Sequence, residues 1–147
     1  MCNGLVALHE SLVHGYVTAD TVHVSEEGRV LLGAIGIGAS LARTRGFSRF
    51  RFGGLLPNIA PEQVLSPPRM TMSTDVFGVA ALFLELITGQ SLVEAGQPLR
   101  DLGFRGSPGL TECLERATDP DPGQRQPDLG ELKAELAYRR VEGALEA

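Results

Sequence analysis

The stretch STDVFGVAALFLELITG, residues 73–89, carries the strongest structural signal in this chain. Ser73, Thr74 and Asp75 are residue types that cap the N-terminus of a helix. The residues that follow are apolar on almost every side of a helix up to Gly89, so hardly any polar face is left for water. The sequence therefore predicts a central helix over residues 73–89 that other elements bury from all directions.

Weaker patterns on both sides predict the elements that surround this helix. Leucines at helical spacing indicate helices, and alternating valines indicate a β-hairpin whose turn contains Gly28. A stretch with many glycines and little periodicity indicates a long irregular loop. In chain order, the predicted elements are a helix in residues 4–13, strands at 21–24 and 29–32, the loop at 33–56, and helices at 109–118 and about 128–145.

The chain has 147 residues, of which 43% are apolar and 21% charged, and this is typical of a single domain. No apolar run approaches the roughly 18 residues of a membrane span, so no membrane contact is predicted. Cys2 and Cys113 are too few and too far apart for a disulfide framework or a zinc site, which indicates a cytoplasmic protein. His9, His14 and His23 have no carboxylates at metal-binding spacing, so no metal ion is predicted.

Charge is unevenly distributed along the sequence. Residues 28–61 contain five arginines and no acidic residue, a net charge of +5, while the rest of the chain sums to −10. Arg45, Arg49 and Arg51 alternate with phenylalanines, and such a pattern can hold a phosphate-rich or acidic partner. The acidic total and the lack of a second basic stretch favour a solvated loop over nucleic-acid binding. An acidic protein partner stays open.

The glycine-rich run GAIGIG, residues 33–38, is similar to a reversed dinucleotide-binding fingerprint. Such a fingerprint requires a helix directly after it, because the N-terminal amides of that helix hold the pyrophosphate. No amphipathic helix follows in the sequence, so the run is interpreted as part of the irregular loop. No Gly-x-Ser-x-Gly elbow for a nucleophilic serine occurs either.

Several short motifs follow one another in an informative order. They are HGYVTADT (14–21), the hairpin, GAIG (33–36), IAPE (59–62), TDVFG (74–78) with ELITG (85–89), and DPDPGQR (119–125). In this order and at these spacings they resemble the C-terminal lobe of protein kinases, in particular bacterial Ser/Thr kinase-like proteins. The resemblance covers nearly the whole chain.

The resemblance implies a mainly α, single-domain fold, a kinase C-lobe-like helical domain with one small β-hairpin. It also implies that the N-terminal lobe is absent, because nothing precedes residue 1 and the only lysine, Lys133, lies near the other end. The implied segments are the end of a first helix (1–13), a degenerate catalytic loop with the hairpin (14–36), an activation-segment-like loop (37–62), the central helix (73–89) and C-terminal helices (109–147).

The positions that carry chemistry in this family are changed. In the kinase loop His-Arg-Asp-x-x-x-x-Asn, the aspartate accepts the proton of the substrate hydroxyl and the asparagine holds magnesium, and here these positions are Tyr16 and Thr21. The metal-holding aspartate of Asp-Phe-Gly is here Ala34. A phenol with a pKa of about 10 is not a base at neutral pH, and a methyl group holds no cation. Asp20 matches a position outside the reacting geometry, so it is not expected to substitute.

The positions that carry structure in this family match. Glu62 and Arg125 stand where kinases form a buried ion pair between the activation segment and the helical base. Asp75 stands where an aspartate braces the backbone of the catalytic loop, and His14 stands where a histidine packs beside it. The resemblance therefore implies a conserved frame around a changed catalytic loop.

These matches predict a catalytically inactive kinase-like domain, a pseudokinase, which binds another protein as a scaffold or regulator. The partner is expected to be an acidic protein or a second copy, with no cofactor, no nucleic acid and no membrane. Two alternatives stay open: a phosphotransferase component whose N-lobe comes from another chain, and a remnant without a role. The candidate partner-binding residues are Ile35, Ile37, Arg43, Arg45, Arg49 and Arg51.

Overall fold

The structure is a computed structural model that describes residues 1–44, 58–65, 67–92 and 95–145, the side chains of residues 140–145 excepted. The elements of these parts are α1 (Cys2–Leu8), β1 (Val22–Val24), β2 (Val30–Leu32), α2 (Ile37–Arg43), a 3₁₀ turn (Pro61–Val64), α3 (Met72–Thr88), a second 3₁₀ turn (Leu99–Leu102), α4 (Pro108–Ala117) and α5 (Leu129–Leu145). The prediction of a mainly helical fold with one small hairpin is confirmed.

Helix α3 forms the centre of the core, where the sequence predicts it. Every residue from Ser73 to Leu82 is buried. Helices α4 and α5 pack against α3, and α1 packs on α5. Each fully buried leucine or phenylalanine of this core contributes about 1.5–3 kcal/mol to folding. The last turn of α3 differs from the prediction, because Leu86 and Ile87 are exposed.

The beginning of α3 corrects the predicted cap. The helix starts at Met72, and its N-cap is Thr71, which has an extended backbone. The Thr71 amide donates to Thr74 Oγ1 at 3.0 Å, and its carbonyl accepts from the Thr74 amide at 2.9 Å. Asp75 does not cap the helix, because its carboxylate is bound to a neighbouring loop. The other end matches the prediction: Gly89 ends the helix with a left-handed φ of 71°.

The β-hairpin forms where the valine pattern predicts it. Val22 lies opposite Leu32, and Val24 lies opposite Val30. Gly28 has a φ of 75°, a conformation that glycine adopts without strain. Val22 and Leu32 pack against the core, so the base of the hairpin is anchored while its other side chains face outwards.

Helix α2 lies where the sequence predicts an irregular loop, so that prediction is wrong for residues 37–43. The sequence of α2, IGASLAR, lacks the apolar stripe of an amphipathic helix, so periodicity gave no signal. Packing holds the helix instead. Gly38 is buried, and a Cβ at this position would lie only 2.2 Å from the His14 carbonyl oxygen.

The remaining helices differ from the predictions only at their ends. Helix α4 begins after Ser107, whose hydroxyl accepts from the Leu110 amide at 3.3 Å. Helix α1 ends at Leu8, because residues 9–11 form a turn rather than a continuation to residue 13. Within the described residues, no helix is both long and apolar enough to cross a membrane.

Candidate functional site

The Asp75 carboxylate organises the loop that resembles a kinase catalytic loop. Its Oδ2 accepts from the His14 amide at 2.8 Å, and its Oδ1 accepts from the Gly15 amide at 2.7 Å. The imidazole Nε2 of His9 lies 2.8 Å from the same Oδ2. Because Asp75 is buried at the start of α3, these bonds fix the loop to the core of the domain.

His14 joins the same loop to the turn that contains Ala34. The Tyr16 amide donates to His14 Nδ1 at 3.2 Å, so the proton of the neutral ring resides on Nε2. That Nε2 lies 2.9 Å from the Gly33 carbonyl oxygen and donates to it. Both ring nitrogens of this buried histidine are therefore used to hold backbone.

Gly15, between His14 and Tyr16, is enclosed on several sides. It has a φ of 65°, and a Cβ there would lie 2.6 Å from Met70 Sδ. The amide of Gln63 donates to the Gly15 carbonyl at 2.6 Å. Gly38 of α2 approaches so closely that a Cβ on it would lie 2.9 Å from the Gly15 Cα. The backbone of the loop at Gly15 is thus enclosed by Met70, Gln63 and Gly38.

Tyr16 is the residue that the resemblance matches to the catalytic base of kinases. Burial and the negative charge of Asp20 both raise the pKa of the Tyr16 phenol above its ordinary value. A phenol with a raised pKa stays protonated at neutral pH, so it cannot accept the proton of a substrate hydroxyl. Asp20 itself lies exposed on the surface.

Thr21 is the residue that the resemblance matches to the magnesium-holding asparagine of kinases, and its hydroxyl points into the loop. The oxygen accepts from the Thr18 amide at 3.0 Å and lies 2.9 Å from the Tyr16 carbonyl oxygen, to which it donates. The side chain is buried. Its hydrogen-bonding capacity is therefore used inside the loop, where it stabilises the turn between Tyr16 and the hairpin.

Ala34 is the residue that the resemblance matches to the metal-holding aspartate of kinases. Its backbone has a φ of 59°, the left-handed region that non-glycine residues rarely adopt. Its side chain is a methyl group, which offers no oxygen to a cation. Across the described residues, no cluster of three or more histidine, cysteine or acidic side chains could hold a metal ion.

Glu62 and Arg125 form a buried, two-pronged ion pair. Arg125 Nη1 donates to Glu62 Oε1 at 2.8 Å, and Nη2 donates to Oε2 at 2.9 Å. The Thr74 hydroxyl also donates to Glu62 Oε1, at 2.9 Å. Arg125 reaches the Ser73 carbonyl oxygen and stacks over the ring of Phe77. The structure therefore brings these two candidate structural residues together at the start of α3.

The candidate partner-binding residues fall into two groups. Ile35 and Ile37 are exposed large apolar side chains directly after the hairpin, and Arg43 is exposed at the end of α2. The other three arginines lie outside the described residues: Arg45, Arg49 and Arg51.

Sequence reasoning missed three contributors to this site. His9 binds Asp75 from 66 positions away, Gln63 holds the catalytic-loop backbone, and Gly38 seats α2 on it. Single-sequence patterns gave no signal for the first two, because each acts across the fold rather than within a periodic element. The missed role of Gly38 follows from the missed helix.

Cys113 is buried, and burial, reinforced by Glu135, raises its pKa to about 12, so it offers no thiolate.

Comparisons with known proteins agree with this geometry. No protein-family model matches the chain. Among curated proteins it is similar to the proline-rich receptor-like protein kinase PERK15 of Arabidopsis thaliana, with 31% identity over 102 residues, which is 67% of this chain and 20% of the relative. It is also similar to a probable LRR receptor-like serine/threonine-protein kinase of the same plant, 33% identical over 62% of this chain, and to the LRR receptor kinase SERK2 of Oryza sativa subsp. japonica, 32% identical over 62%.

A solved structure, the apo form of PpkA-294, superposes on 92% of the chain with a TM-score of 0.70 and 21% identity. The chain has a kinase-like fold. It spans half of the PpkA-294 chain and 16–20% of the curated kinases that it matches. The order of the hairpin and the central helix agrees with this kinase-like fold.

Proposed function

We propose that this chain is a catalytically inactive kinase-like domain, a pseudokinase, and that it acts as a protein-binding scaffold or regulator. The observation that carries the proposal is the Thr21 hydroxyl. It stands where a kinase presents a magnesium ligand, and it is buried and bonded within its own loop. A ligand position that serves the internal structure of the loop is not available to a metal ion.

Two neighbouring positions support the same proposal. Phosphoryl transfer in kinases needs a carboxylate at the nucleophile and a second carboxylate on magnesium. Tyr16 supplies a phenol whose pKa is raised, and Ala34 supplies a methyl group. Each of these positions lacks a different group that phosphoryl transfer needs. Restoring one of these groups therefore leaves the others missing.

The binding role is supported by exposed side chains next to this loop. Ile35 and Ile37 lie on the surface directly after the hairpin, and residues 28–61 carry +5 without an acidic residue. Apolar side chains beside a charged segment are typical of interaction surfaces, where the charge selects the partner. We therefore propose an acidic protein surface, which a second copy also offers, as the partner. The two free cysteines agree with a reducing location, and we propose the cytoplasm.

A phosphotransferase component that works with an N-lobe from another chain is the second candidate. The observation in its favour is the frame: Asp75, His14 and the Glu62–Arg125 pair hold the loop through buried bonds. Magnesium-dependent binding of nucleotide by the chain is expected of the second candidate and not of the first, so a titration that detects it would favour the phosphotransferase.

The test is isothermal titration calorimetry of the full chain with ATP and magnesium, beside a γ-phosphoryl transfer assay on a generic protein substrate. We expect no heat of binding and no transfer. The matched variant carries Tyr16→Asp, Thr21→Asn and Ala34→Asp, and circular dichroism checks that it folds. Magnesium-dependent binding by the unmodified chain would overturn the inactive assignment and favour the phosphotransferase.

A further inference from the structure

Among the described residues, no third strand pairs with β1 and β2, so the outer edge of β2 has no neighbouring strand. The Gly33 amide donates to the Thr21 carbonyl at 2.8 Å, which fixes the alternation of inward-facing and outward-facing backbone groups. By this alternation, the N–H and C=O groups of Val30 and Leu32 point away from β1. They form a row of donors and acceptors that another strand can satisfy.

Exposed apolar side chains lie on both strands of the hairpin and in the residues that follow β2. Leu31 is 54% exposed and Ile35 is 56% exposed. An open strand edge flanked by exposed apolar side chains is a typical site of association between chains. We call this set the apolar strip, and it consists of Val24, Val30, Leu31, Ile35 and Ile37.

We propose that the apolar strip is a self-association surface on which β2 of one copy pairs antiparallel with β2 of a second copy, around a two-fold axis at Leu31. The inference rests on the proposed function, because it names the partner of that binding surface. Pairing through one edge on each copy closes the assembly as a dimer. It satisfies the outward-facing backbone groups of β2 and brings the two Leu31 side chains together.

The charges around the apolar strip favour this antiparallel arrangement. Glu26 and Glu27 at the tip outweigh Arg29, so residues 25–29 have a net charge of −1. Residues 33–44 carry Arg43 and no acid, a net charge of +1. A two-fold axis at Leu31 directs the acidic tip of each copy towards the basic segment of the other.

The same charges argue against other occupants of the edge. A parallel pairing would bring the two tips together, with Glu26 and Glu27 of each copy facing like charges. A foreign acidic strand would likewise place its carboxylates beside these two residues. Glu27 is ionised at neutral pH, since a hydrogen bond from the Ser25 hydroxyl lowers its pKa. A second copy in the antiparallel arrangement offers a basic segment to the acidic hairpin tip and an acidic tip to the basic segment.

The dimer is expected to be weak. A standard interface involves about 20–30 residues on each side, and the strip is much smaller. We therefore expect a dissociation constant of roughly 10–100 μM, so that the dimer forms reversibly with concentration.

The test is sedimentation velocity of the full chain over a range of concentrations. Leu31→Lys places two like charges at the two-fold axis, and we expect at least about a tenfold weakening of the dimer. The matched control is Leu86→Lys, since Leu86 is 71% exposed on the last turn of α3, outside the strip. This control should leave dimerisation unchanged.

A charge exchange tests the orientation. Glu27→Arg and Arg43→Glu should each weaken the dimer several-fold, and the double variant should recover much of the loss. A monomer at every concentration, or a dimer that Leu31→Lys leaves intact, would overturn the inference. Equal losses from Leu31→Lys and Leu86→Lys would also overturn it. Nucleotide titration on the same samples tests the inactive assignment separately. A chain that does not dimerise can still fail to bind nucleotide, and a chain that binds nucleotide can still dimerise.

Discussion

Two regions within the same loop-and-helix unit differ in how their side chains are used. At Asp75 and in the Glu62–Arg125 pair, buried charges are matched by several short hydrogen bonds. At Tyr16 and Ala34, the side chains lack the groups that phosphoryl transfer needs. The buried frame around the loop is therefore formed without the side chains that carry the chemistry of this loop in kinases. Each region can be tested separately, by its effect on stability or on ligand binding.

Loss of Arg125 should have the largest effect. Arg125→Ala leaves the Glu62 carboxylate buried without its counter-ion, and we expect a loss of about 3–5 kcal/mol in the free energy of unfolding. Urea denaturation followed by circular dichroism measures it. The control is Arg116→Ala, because Arg116 is exposed and forms surface ion pairs with Glu131 and Glu135, both at 3.5 Å. That variant should lose less than about 1 kcal/mol. Similar losses from both variants would refute the special role of the buried pair.

Replacement of Asp75 should have the second-largest effect on the free energy of unfolding. Asp75→Asn removes the charge that strengthens three contacts, from His9, His14 and Gly15. We expect the free energy of unfolding to fall by about 2–3 kcal/mol. Hydrogen exchange of the His14 and Gly15 amides, which donate to Asp75, should also accelerate more than exchange of the amides within α4. Uniform acceleration along the chain would show that Asp75 acts on global stability and has no local effect on the loop.

How much of this unit could be predicted from the sequence depends on the kind of interaction. The hairpin and α3 follow from local patterns, valine alternation and an apolar run, so their positions were predicted closely. Helix α2 was missed because Gly38 holds it through contact with a distant backbone, and periodicity carries no trace of such packing. The His9–Asp75 contact was missed for the same reason. The inward-facing hydroxyl of Thr21 could not be predicted either, because the side chain's direction depends on the turn around it.

Gly38 gives a test of intermediate size on the contact between α2 and the loop. Gly38→Ala places a methyl group against the His14 carbonyl, and relief requires a shift of backbone rather than of a side chain. We expect a loss of about 1–3 kcal/mol, measured by urea denaturation. The control is Gly4→Ala in α1, where an added Cβ meets nothing within 4 Å. That variant should gain about 0.5–1 kcal/mol, because alanine favours a helix over glycine. If Gly38→Ala leaves the free energy of unfolding unchanged, α2 can move away from the loop without loss of stability.

The smallest expected effect has the opposite sign and concerns a chemical position. Ala34 has a φ of 59°, so Ala34→Gly should relieve backbone strain of about 1–2 kcal/mol. The greater freedom of glycine in the unfolded chain offsets roughly 0.5–1 kcal/mol of this gain. A small net rise in the thermal midpoint is therefore expected from differential scanning calorimetry. Ala19→Gly is the control, because Ala19 is an exposed loop alanine without a positive φ, and this change should lower the midpoint slightly. If both variants lower it equally, the left-handed turn at Ala34 stores no strain, and the frame does not impose the shape of the loop at this position.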